Sequence, residues 1–143
     1  MRPNNHARTY DACASRVSAI RNRHLRILIV DDKPRWRRSM RFRLTSLYEA
    51  EVKDVGSGEE AVRTLSAGES FDIIFLDLSM PDMSGTQTYG ELKSLDAGCP
   101  IVMMSAYSDD EEWAKAGQLH VELLSKPIPD DELEQILLKV PNR

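Results

Sequence analysis

Four short apolar runs of this chain each lead directly into polar or charged residues, and this repetition constrains the fold more than any other feature. The runs are residues 25–30, 73–76, 101–104 and 123–124. The polar residues that follow them are Asp31 and Asp32, Asp77, Ser105, and Ser125 with Lys126 and Pro127. If the runs are parallel strands of one sheet, their carboxyl ends lie side by side, and these groups converge on one crevice.

The chemistry of that crevice follows from its charges. Three carboxylates held close together repel one another and raise each other's pKa, so a compensating positive charge is needed. Lys126 supplies one, and an all-oxygen carboxylate set suits a hard divalent cation such as Mg²⁺. A phosphoryl group could bridge the metal and the ammonium, because phosphoryl transfer depends on positioning and charge neutralisation. An aspartate could then be the nucleophile, as in enzymes that form aspartyl-phosphates.

The predicted elements alternate between strand and helix along the chain. Strands are predicted at residues 25–30, 52–55, 72–77, 100–104 and 121–124. Helices are predicted to begin near Pro34, Glu59, Thr86, Asp109 and Asp130, with the last three ending at residues 95, 116 and 140. Five repeats of strand then helix favour an α/β fold with one parallel sheet and helices on both of its faces.

Composition places the chain among ordinary globular proteins. It has 143 residues, of which 41% are hydrophobic and 29% charged, and this suits a single domain. No apolar stretch approaches a membrane-spanning length, and no apolar signal region follows the N-terminal arginines, so a cytoplasmic location without membrane contact is predicted. Cys13 and Cys99 lack the spacing of a disulfide framework or metal site and are predicted to be free thiols.

The net charge of −4 is unevenly distributed along the chain. Residues 1–24 hold five arginines and one acid, so the negative charge lies in the remainder. A basic segment with few large apolar residues is predicted to be flexible, although basic arms also bind nucleic acid or acidic membranes. The predicted organisation is an extension over residues 1–24, a folded domain over 25–140 and a short tail over 141–143.

Four segments of the chain together resemble the receiver domains of two-component response regulators. They are Asp31-Asp32, residues 77–85 with the sequence DLSMPDMSG, Ser105-Ala106 and Lys126-Pro127. Each segment alone is weak evidence, since an aspartate pair is often a helix N-cap and a serine is often a turn residue. All four segments, however, occur in the right order at the ends of predicted strands. The resemblance covers roughly residues 25–140 and implies a five-stranded flavodoxin-like fold with strand order 2-1-3-4-5.

The resemblance also implies which residues bind the metal and accept the phosphoryl group. Asp77 would be phosphorylated by a phosphohistidine on a sensor histidine kinase or a histidine phosphotransfer protein. Asp32, Asp77 and the backbone carbonyl of Ser79 would bind Mg²⁺ directly, and Asp31 would act through water. The side chain of Ser79 is a candidate modulator of the reaction.

Further roles concern the phosphoryl group after transfer. Ser105 would hydrogen-bond a phosphoryl oxygen, Lys126 would pair with its charge, and the peptide before Pro127 would be cis. Many receivers carry an aromatic residue three positions before this lysine; here it is Leu123, so the usual switch cannot operate in its usual form. Tyr107 is a candidate modulator that could shield the phosphoryl group from water, and an ordinary loop tyrosine is the alternative.

The first predicted helix is unusually basic, with six cations and no acid in residues 33–43. Residues 36, 40, 44 and 47 recur at helical spacing and are predicted to face the core. The arginines predicted to be largely exposed are Arg35, Arg37, Arg38, Arg41 and Arg43. In receivers this helix commonly contacts the kinase, so an acidic partner surface is one hypothesis and a solvated face is the other.

The predicted function is that of a phosphoacceptor receiver without independent enzyme activity. Because the chain ends soon after the last helix, a stand-alone receiver is expected, which signals by phosphorylation-dependent protein binding or by phosphorelay. A receiver excised from a longer regulator or from a hybrid kinase would look the same in sequence. Direct DNA binding is not expected, because no helix-turn-helix pair is predicted outside the domain. A degenerate receiver acting as a phosphorylation-independent interaction module is the alternative, and the complete acidic set argues against it. Flavin binding is disfavoured because residues 31–34 offer no phosphate-cradling loop.

Overall fold

The structure is a computed structural model that describes residues 23–95, 98–107 and 111–141. Nearly all of the predicted N-terminal extension, including Cys13, lies outside the described residues, as do the last two residues of the predicted tail. Among the described residues, no helix combines the length and the apolar character that crossing a bilayer would require.

Five strands and five helices alternate along the described chain. The strands are β1 (Leu25–Val30), β2 (Ala50–Val55), β3 (Ile73–Asp77), β4 (Ile101–Ser105) and β5 (Glu122–Ser125). The helices are α1 (Pro34–Leu47), α2 (Gly58–Ser66), α3 (Gly85–Ser94), α4 (Glu111–Gly117) and α5 (Asp130–Leu138). The predicted type of each element is confirmed, and the bounds that can be compared agree to within two residues. The predicted start of α4 at residue 109 lies outside the described residues.

The strands form one parallel sheet in the order β2-β1-β3-β4-β5, which confirms the predicted flavodoxin-like fold. The register aligns the carboxyl ends of the central strands: Val30 of β1 lies beside Leu76 of β3, and Asp77 lies beside Met104 of β4. The residues that directly follow β1 and β3 therefore start from neighbouring positions on one edge of the sheet.

Alternate residues of the central strands enter different hydrophobic cores. Ile27 and Ile29 of β1 lie in a core that also contains buried residues of α1 and α5. Leu28 and Val30 lie in a second core, with buried residues of α2, α3 and α4. Both faces of the sheet are therefore covered, which leaves its carboxyl edge as the place where polar groups can gather.

Helix α1 departs from its predicted orientation at its last residue. Trp36, Met40 and Leu44 pack in or against the core as predicted, but Leu47 is exposed. The chain leaves the helix directly after Leu47, and the extended residue Tyr48 fills the core position instead. The prediction for Leu47 was wrong because helical periodicity stops where the backbone leaves the helix.

The arginines of α1 are also less uniformly exposed than predicted. Arg37 and Arg43 are partly buried and bind to other elements, Arg37 to Asp54 of β2 and Arg43 to Asp130 of α5. The prediction of general exposure was wrong for these two, because acids distant in sequence lie beside the helix. Arg41 is exposed and also pairs with Asp54.

Candidate functional site

The carboxyl edge of the sheet brings the predicted acids and the lysine together. Asp31 follows β1, Asp77 is the last residue of β3, and Lys126 directly follows β5. The Lys126 Nζ atom lies 2.5 Å from Asp31 Oδ2 and 3.6 Å from Asp77 Oδ1. All three side chains are buried, with exposed fractions of 8%, 0% and 1% for Lys126, Asp31 and Asp77. The peptide between Lys126 and Pro127 is cis, as the resemblance implies.

Backbone hydrogen bonds that continue beyond the strands hold these residues in place. The Asp31 N–H donates to the Val55 carbonyl at 3.1 Å, and the Lys126 N–H donates to the Ser105 carbonyl at 2.8 Å. After Asp77, the Leu78 N–H donates to the Met104 carbonyl at 2.9 Å. The site is thus built on the rigid end of the sheet rather than on freely moving loops.

Both carboxylate oxygens of Asp31 accept hydrogen bonds. Oδ1 accepts from the Lys33 N–H at 2.8 Å, and Oδ2 accepts from the Lys126 ammonium. A buried charge is tolerated when it is paired and its remaining lone pairs have donors. Asp31 therefore serves as the buried partner of Lys126.

The Asp77 carboxylate is less completely satisfied. Oδ1 accepts one long hydrogen bond, of 3.4 Å, from the Ser79 N–H, whereas the buried Oδ2 has no hydrogen-bond partner among the described residues. Burial, followed by the nearby charge of Asp31, raises the pKa of Asp77 to about 6, against the opposing effects of Lys126, the Ser79 N–H and Lys33. An ionisable oxygen with no donor is therefore available for bonding to an incoming group.

The third acid completes a set of oxygens that suits a divalent cation. Asp31, Asp32 and Asp77 each offer one carboxylate oxygen, and these atoms all lie within 4.8 Å of one another. Carboxylate oxygens are the ligands that Mg²⁺ prefers, and the Oδ2 of Asp77, which has no hydrogen-bond donor among the described residues, fits the need for an additional positive partner. The residues present therefore fit the metal predicted from the sequence.

Ser79 and Ser105 flank Asp77 but differ in their hydrogen bonding. The Ser79 hydroxyl is buried and has no partner among the described residues. The Ser105 hydroxyl, which is also buried, donates to the Tyr107 carbonyl at 3.2 Å and accepts from the Tyr107 N–H at 3.0 Å. Both bonds use the backbone of Tyr107, and its side chain is exposed.

The structure also places near the site residues that were not predicted to act there. Trp36 was predicted only as a core residue, but its ring centroid lies 4.5 Å from the Lys126 ammonium. Arg37 was predicted to be exposed, but it donates to the Asp31 carbonyl at 2.7 Å. Helical spacing indicated which side of α1 faces the core, but it carries no signal for contacts with a lysine ninety positions further along the chain.

Gly85 approaches the backbone of the central acid closely. A Cβ atom at this position would lie 2.6 Å from the Asp77 carbonyl oxygen and 2.6 Å from the Leu78 Cα atom. The Gly85 N–H donates to the Leu78 carbonyl at 3.1 Å, which closes the loop that leaves β3. A residue without a side chain is required here so that α3 can begin directly against the site.

Comparison with known proteins identifies the same family. The model for the response regulator receiver domain matches residues 27–138. The transcriptional regulatory protein GlrR of Escherichia coli is 32% identical over 112 residues, which are 78% of this chain and 25% of GlrR. The two-component response regulator ARR22 of Arabidopsis thaliana is 34% identical over 105 residues, which are 68% of each protein. The chain thus spans about a quarter of the length of GlrR.

Solved receiver structures are similar over most of this chain. The receiver domain of the sensor histidine kinase PA1611 from Pseudomonas aeruginosa, which has magnesium in its active site cleft, aligns with a TM-score of 0.73 and 26% identity over 82% of this chain and 98% of that domain. The response regulator TrrA of Thermotoga maritima, solved with Mg²⁺ and BeF, aligns with a TM-score of 0.71 and 29% identity over 82% and 99%. On the family match, the relatives and the fold together, this chain belongs to the response regulator receiver domain family.

Proposed function

We propose that Asp77 is the phosphoacceptor of this receiver domain and that the chain signals through its phosphorylated form. The observation that carries the proposal is the Asp77 carboxylate, which is buried and has an Oδ2 atom with no hydrogen-bond donor among the described residues. Because its pKa is about 6, the carboxylate is mostly ionised at pH 7 and can act as a nucleophile.

The proposed reaction is a displacement at phosphorus. A carboxylate oxygen of Asp77 forms a bond to phosphorus while the bond between phosphorus and the imidazole nitrogen of a phosphohistidine breaks, and the leaving nitrogen takes up a proton from solvent. Lys126 is placed to neutralise the negative charge that arrives, since its ammonium lies 3.6 Å from Asp77 Oδ1. In this proposal the chain is a phosphoacceptor and not an independent enzyme.

Mg²⁺ is the proposed cofactor. When bound, it would neutralise negative charge on the acids and on the phosphoryl oxygens. Asp32, Asp77 and the Ser79 carbonyl are the proposed direct ligands. Asp31 suits the water-mediated role, because both of its carboxylate oxygens already accept hydrogen bonds.

The proposed phosphodonor is a sensor histidine kinase or a histidine phosphotransfer protein, as is general for the family. The exposed surface of α1 supports an acidic or partly apolar partner face, since Arg35 and Arg38 are exposed without an ion-pair partner in the described part of the chain. Phe42, which is 71% exposed, lies on the same helix. Attraction between opposite charges would make binding weaker as salt concentration rises.

Output is proposed to begin at Ser105. Its hydroxyl must give up its bond to the Tyr107 carbonyl in order to donate to a phosphoryl oxygen, and this would free the Tyr107 carbonyl. Leu123, which packs partly buried against the second core, stands where many receivers have an aromatic switch residue. The proposed signal therefore passes through the Tyr107 backbone and leads to binding of a downstream protein or to phosphorelay.

Intact-mass measurement with a small phosphodonor tests the proposal. In the presence of Mg²⁺ and acetyl phosphate, the unmodified chain should gain one phosphoryl group, and Asp77→Asn should gain none. Asp72→Asn is the matched control, because Asp72 directly precedes β3, at the end of the strand opposite to Asp77. Its carboxylate accepts a hydrogen bond from the Arg26 N–H at 2.8 Å. Asp72→Asn should still be phosphorylated.

A chain that gains no phosphoryl group would contradict the proposal. That result would favour the alternative of a degenerate receiver that binds its partners regardless of phosphorylation. The cytoplasmic location, the stand-alone character and the lack of direct DNA binding remain predictions from the sequence.

A further inference from the structure

A second lysine lies at the acidic site, and its position differs from that of Lys126. The Lys33 Nζ atom lies 3.2 Å from Asp32 Oδ1 and 3.8 Å from Asp77 Oδ2. That Asp77 oxygen is the one without a hydrogen-bond partner among the described residues. The Lys33 ammonium therefore lies against the two carboxylates that are the proposed direct ligands of Mg²⁺.

The position of this ammonium is electrostatically unfavourable for a metal bound to the same oxygens. Mg²⁺ binds carboxylate oxygen at about 2.0–2.1 Å, so an ion shared by Asp32 and Asp77 would lie within a few ångströms of Lys33 Nζ. A monovalent and a divalent cation at such a distance repel each other strongly in a partly buried site. Binding of the metal therefore favours movement of the Lys33 ammonium away from these oxygens.

Lys33 can move, whereas Lys126 cannot do so easily. The Lys33 side chain is 51% exposed, and its ammonium is at the end of a flexible four-carbon stem. Its backbone is held separately, because the Lys33 N–H donates to Asp31 Oδ1. Lys126 is only 8% exposed and is enclosed by Asp31 and the ring of Trp36.

We propose that Lys33 is a built-in counterion that occupies the cation position of the metal-free site and is displaced when Mg²⁺ binds. It neutralises Asp32 and Asp77 in the absence of metal, and it lowers the affinity for Mg²⁺ because its two ion pairs must be broken first. This inference rests on the proposed function, in which the same carboxylates bind the metal.

The expected effect can be read from the contacts that are lost. Each exposed or half-exposed ion pair contributes a fraction of a kcal/mol, so removal of the two pairs together with the charge should tighten the dissociation constant for Mg²⁺ about 3- to 10-fold. Lys33→Met removes the charge and keeps most of the stem. Lys33→Arg keeps the charge and should change the dissociation constant by less than about twofold.

Isothermal titration with MgCl₂ measures this effect directly. The unmodified chain, Lys33→Met and Lys33→Arg are compared with Lys139→Met, which is the matched control for net charge. Lys139 pairs with one carboxylate, that of Glu122, at 3.6 Å, and it lies at the opposite edge of the sheet from the site. Lys139→Met should bind Mg²⁺ like the unmodified chain.

Thermal unfolding gives a second readout that does not depend on phosphorylation. In EDTA, Lys33→Met should unfold at a lower temperature than the unmodified chain, because its acids have lost a counterion. Addition of Mg²⁺ should raise the unfolding temperature more for Lys33→Met than for the unmodified chain. The measurement in EDTA also shows that the variant is folded.

Three results would overturn the inference. Lys33→Met could bind Mg²⁺ with equal or weaker affinity than the unmodified chain, or Lys139→Met could show the same gain, which would assign the effect to net charge alone. If neither the unmodified chain nor any variant binds Mg²⁺, the metal requirement of the proposed function fails and the inference fails with it. The first two results leave the proposed function intact, so the two failures are distinguishable.

Discussion

Replacement of Asp77 by asparagine should stabilise the metal-free protein, even though it removes the proposed phosphoacceptor. Burial and the neighbouring charge of Asp31 raise the pKa of Asp77 from 3.8 to about 6. A rise in pKa of about two units corresponds to about 3 kcal/mol, at 1.36 kcal/mol per unit. Ionisation of this buried group lowers the free energy of unfolding by that amount. Because the new amide would leave some hydrogen-bonding groups unsatisfied, we expect Asp77→Asn to raise the free energy of unfolding by about 2 kcal/mol at pH 7.5.

The gain should depend on pH in a defined direction. A raised pKa means that the folded protein holds this proton more tightly than the unfolded chain does. The contribution of Asp77 to stability is therefore fully present below about pH 4 and is lost as the pH rises through about 6. The difference in the free energy of unfolding between Asp77→Asn and the unmodified chain should be small at pH 4 and largest above pH 6.5.

Urea unfolding in EDTA, followed by circular dichroism between pH 4 and 8, measures this difference. Asp82→Asn is the control, because Asp82 is exposed in the loop after β3 and its replacement should have little effect at any pH. Saturating Mg²⁺ should reduce the advantage of Asp77→Asn, because the metal stabilises only the intact acid set. A variant less stable than the unmodified chain at pH 7.5, or a gain that is the same at pH 4 and pH 7.5, would refute the reasoning.

Three further substitutions probe the surroundings of the site. Gly85→Ala should lower the free energy of unfolding by about 1–3 kcal/mol in urea titrations, because the added methyl group would overlap the backbone of Asp77. Unchanged stability would mean that the loop between β3 and α3 can shift to accommodate the methyl group. Arg37→Met should lower stability by about 1–2 kcal/mol and weaken Mg²⁺ binding measured by calorimetry, since it removes the donor to the Asp31 carbonyl. Equal metal affinity would show that this carbonyl contact does not position the acids. Tyr107→Ala should shorten the lifetime of the phosphorylated chain, measured by loss of the added mass with time, if the side chain shields the phosphoryl group. A lifetime equal to that of the unmodified chain would exclude that role.

Most of the fold could be predicted because each strand carries its own signal. The runs at residues 25–30, 73–76 and 101–104 are almost entirely apolar and are buried throughout or nearly so, and polar residues follow them. Such runs stay in the interior whatever their neighbours are, so their burial can be read locally. Leu47 was predicted incorrectly because the end of a helix depends on where the chain turns next.

Side-chain pairing on α1 could not be predicted in the same way. Arg37 pairs with Asp54, which is 17 positions away, and Arg43 pairs with Asp130, which is 87 positions away. The periodicity of a helix identifies its core-facing side, but it does not show which acids from other elements lie beside the remaining positions. The arginines were therefore all predicted to be exposed, although two of them pair with acids of other elements.

The sequence by itself determined that the acids, the hydroxyl and the lysine share one edge, because parallel strands place their carboxyl ends together. Only the tertiary structure decided how the charges pair within that edge. Lys126 binds Asp31 across 95 positions of sequence, and this leaves Oδ2 of Asp77 for Lys33 or a metal. The positions of the strands follow from apolar runs that tolerate small errors in their bounds. Ion pairing changes over a single ångström and therefore depends on the packed positions of residues far apart in the chain.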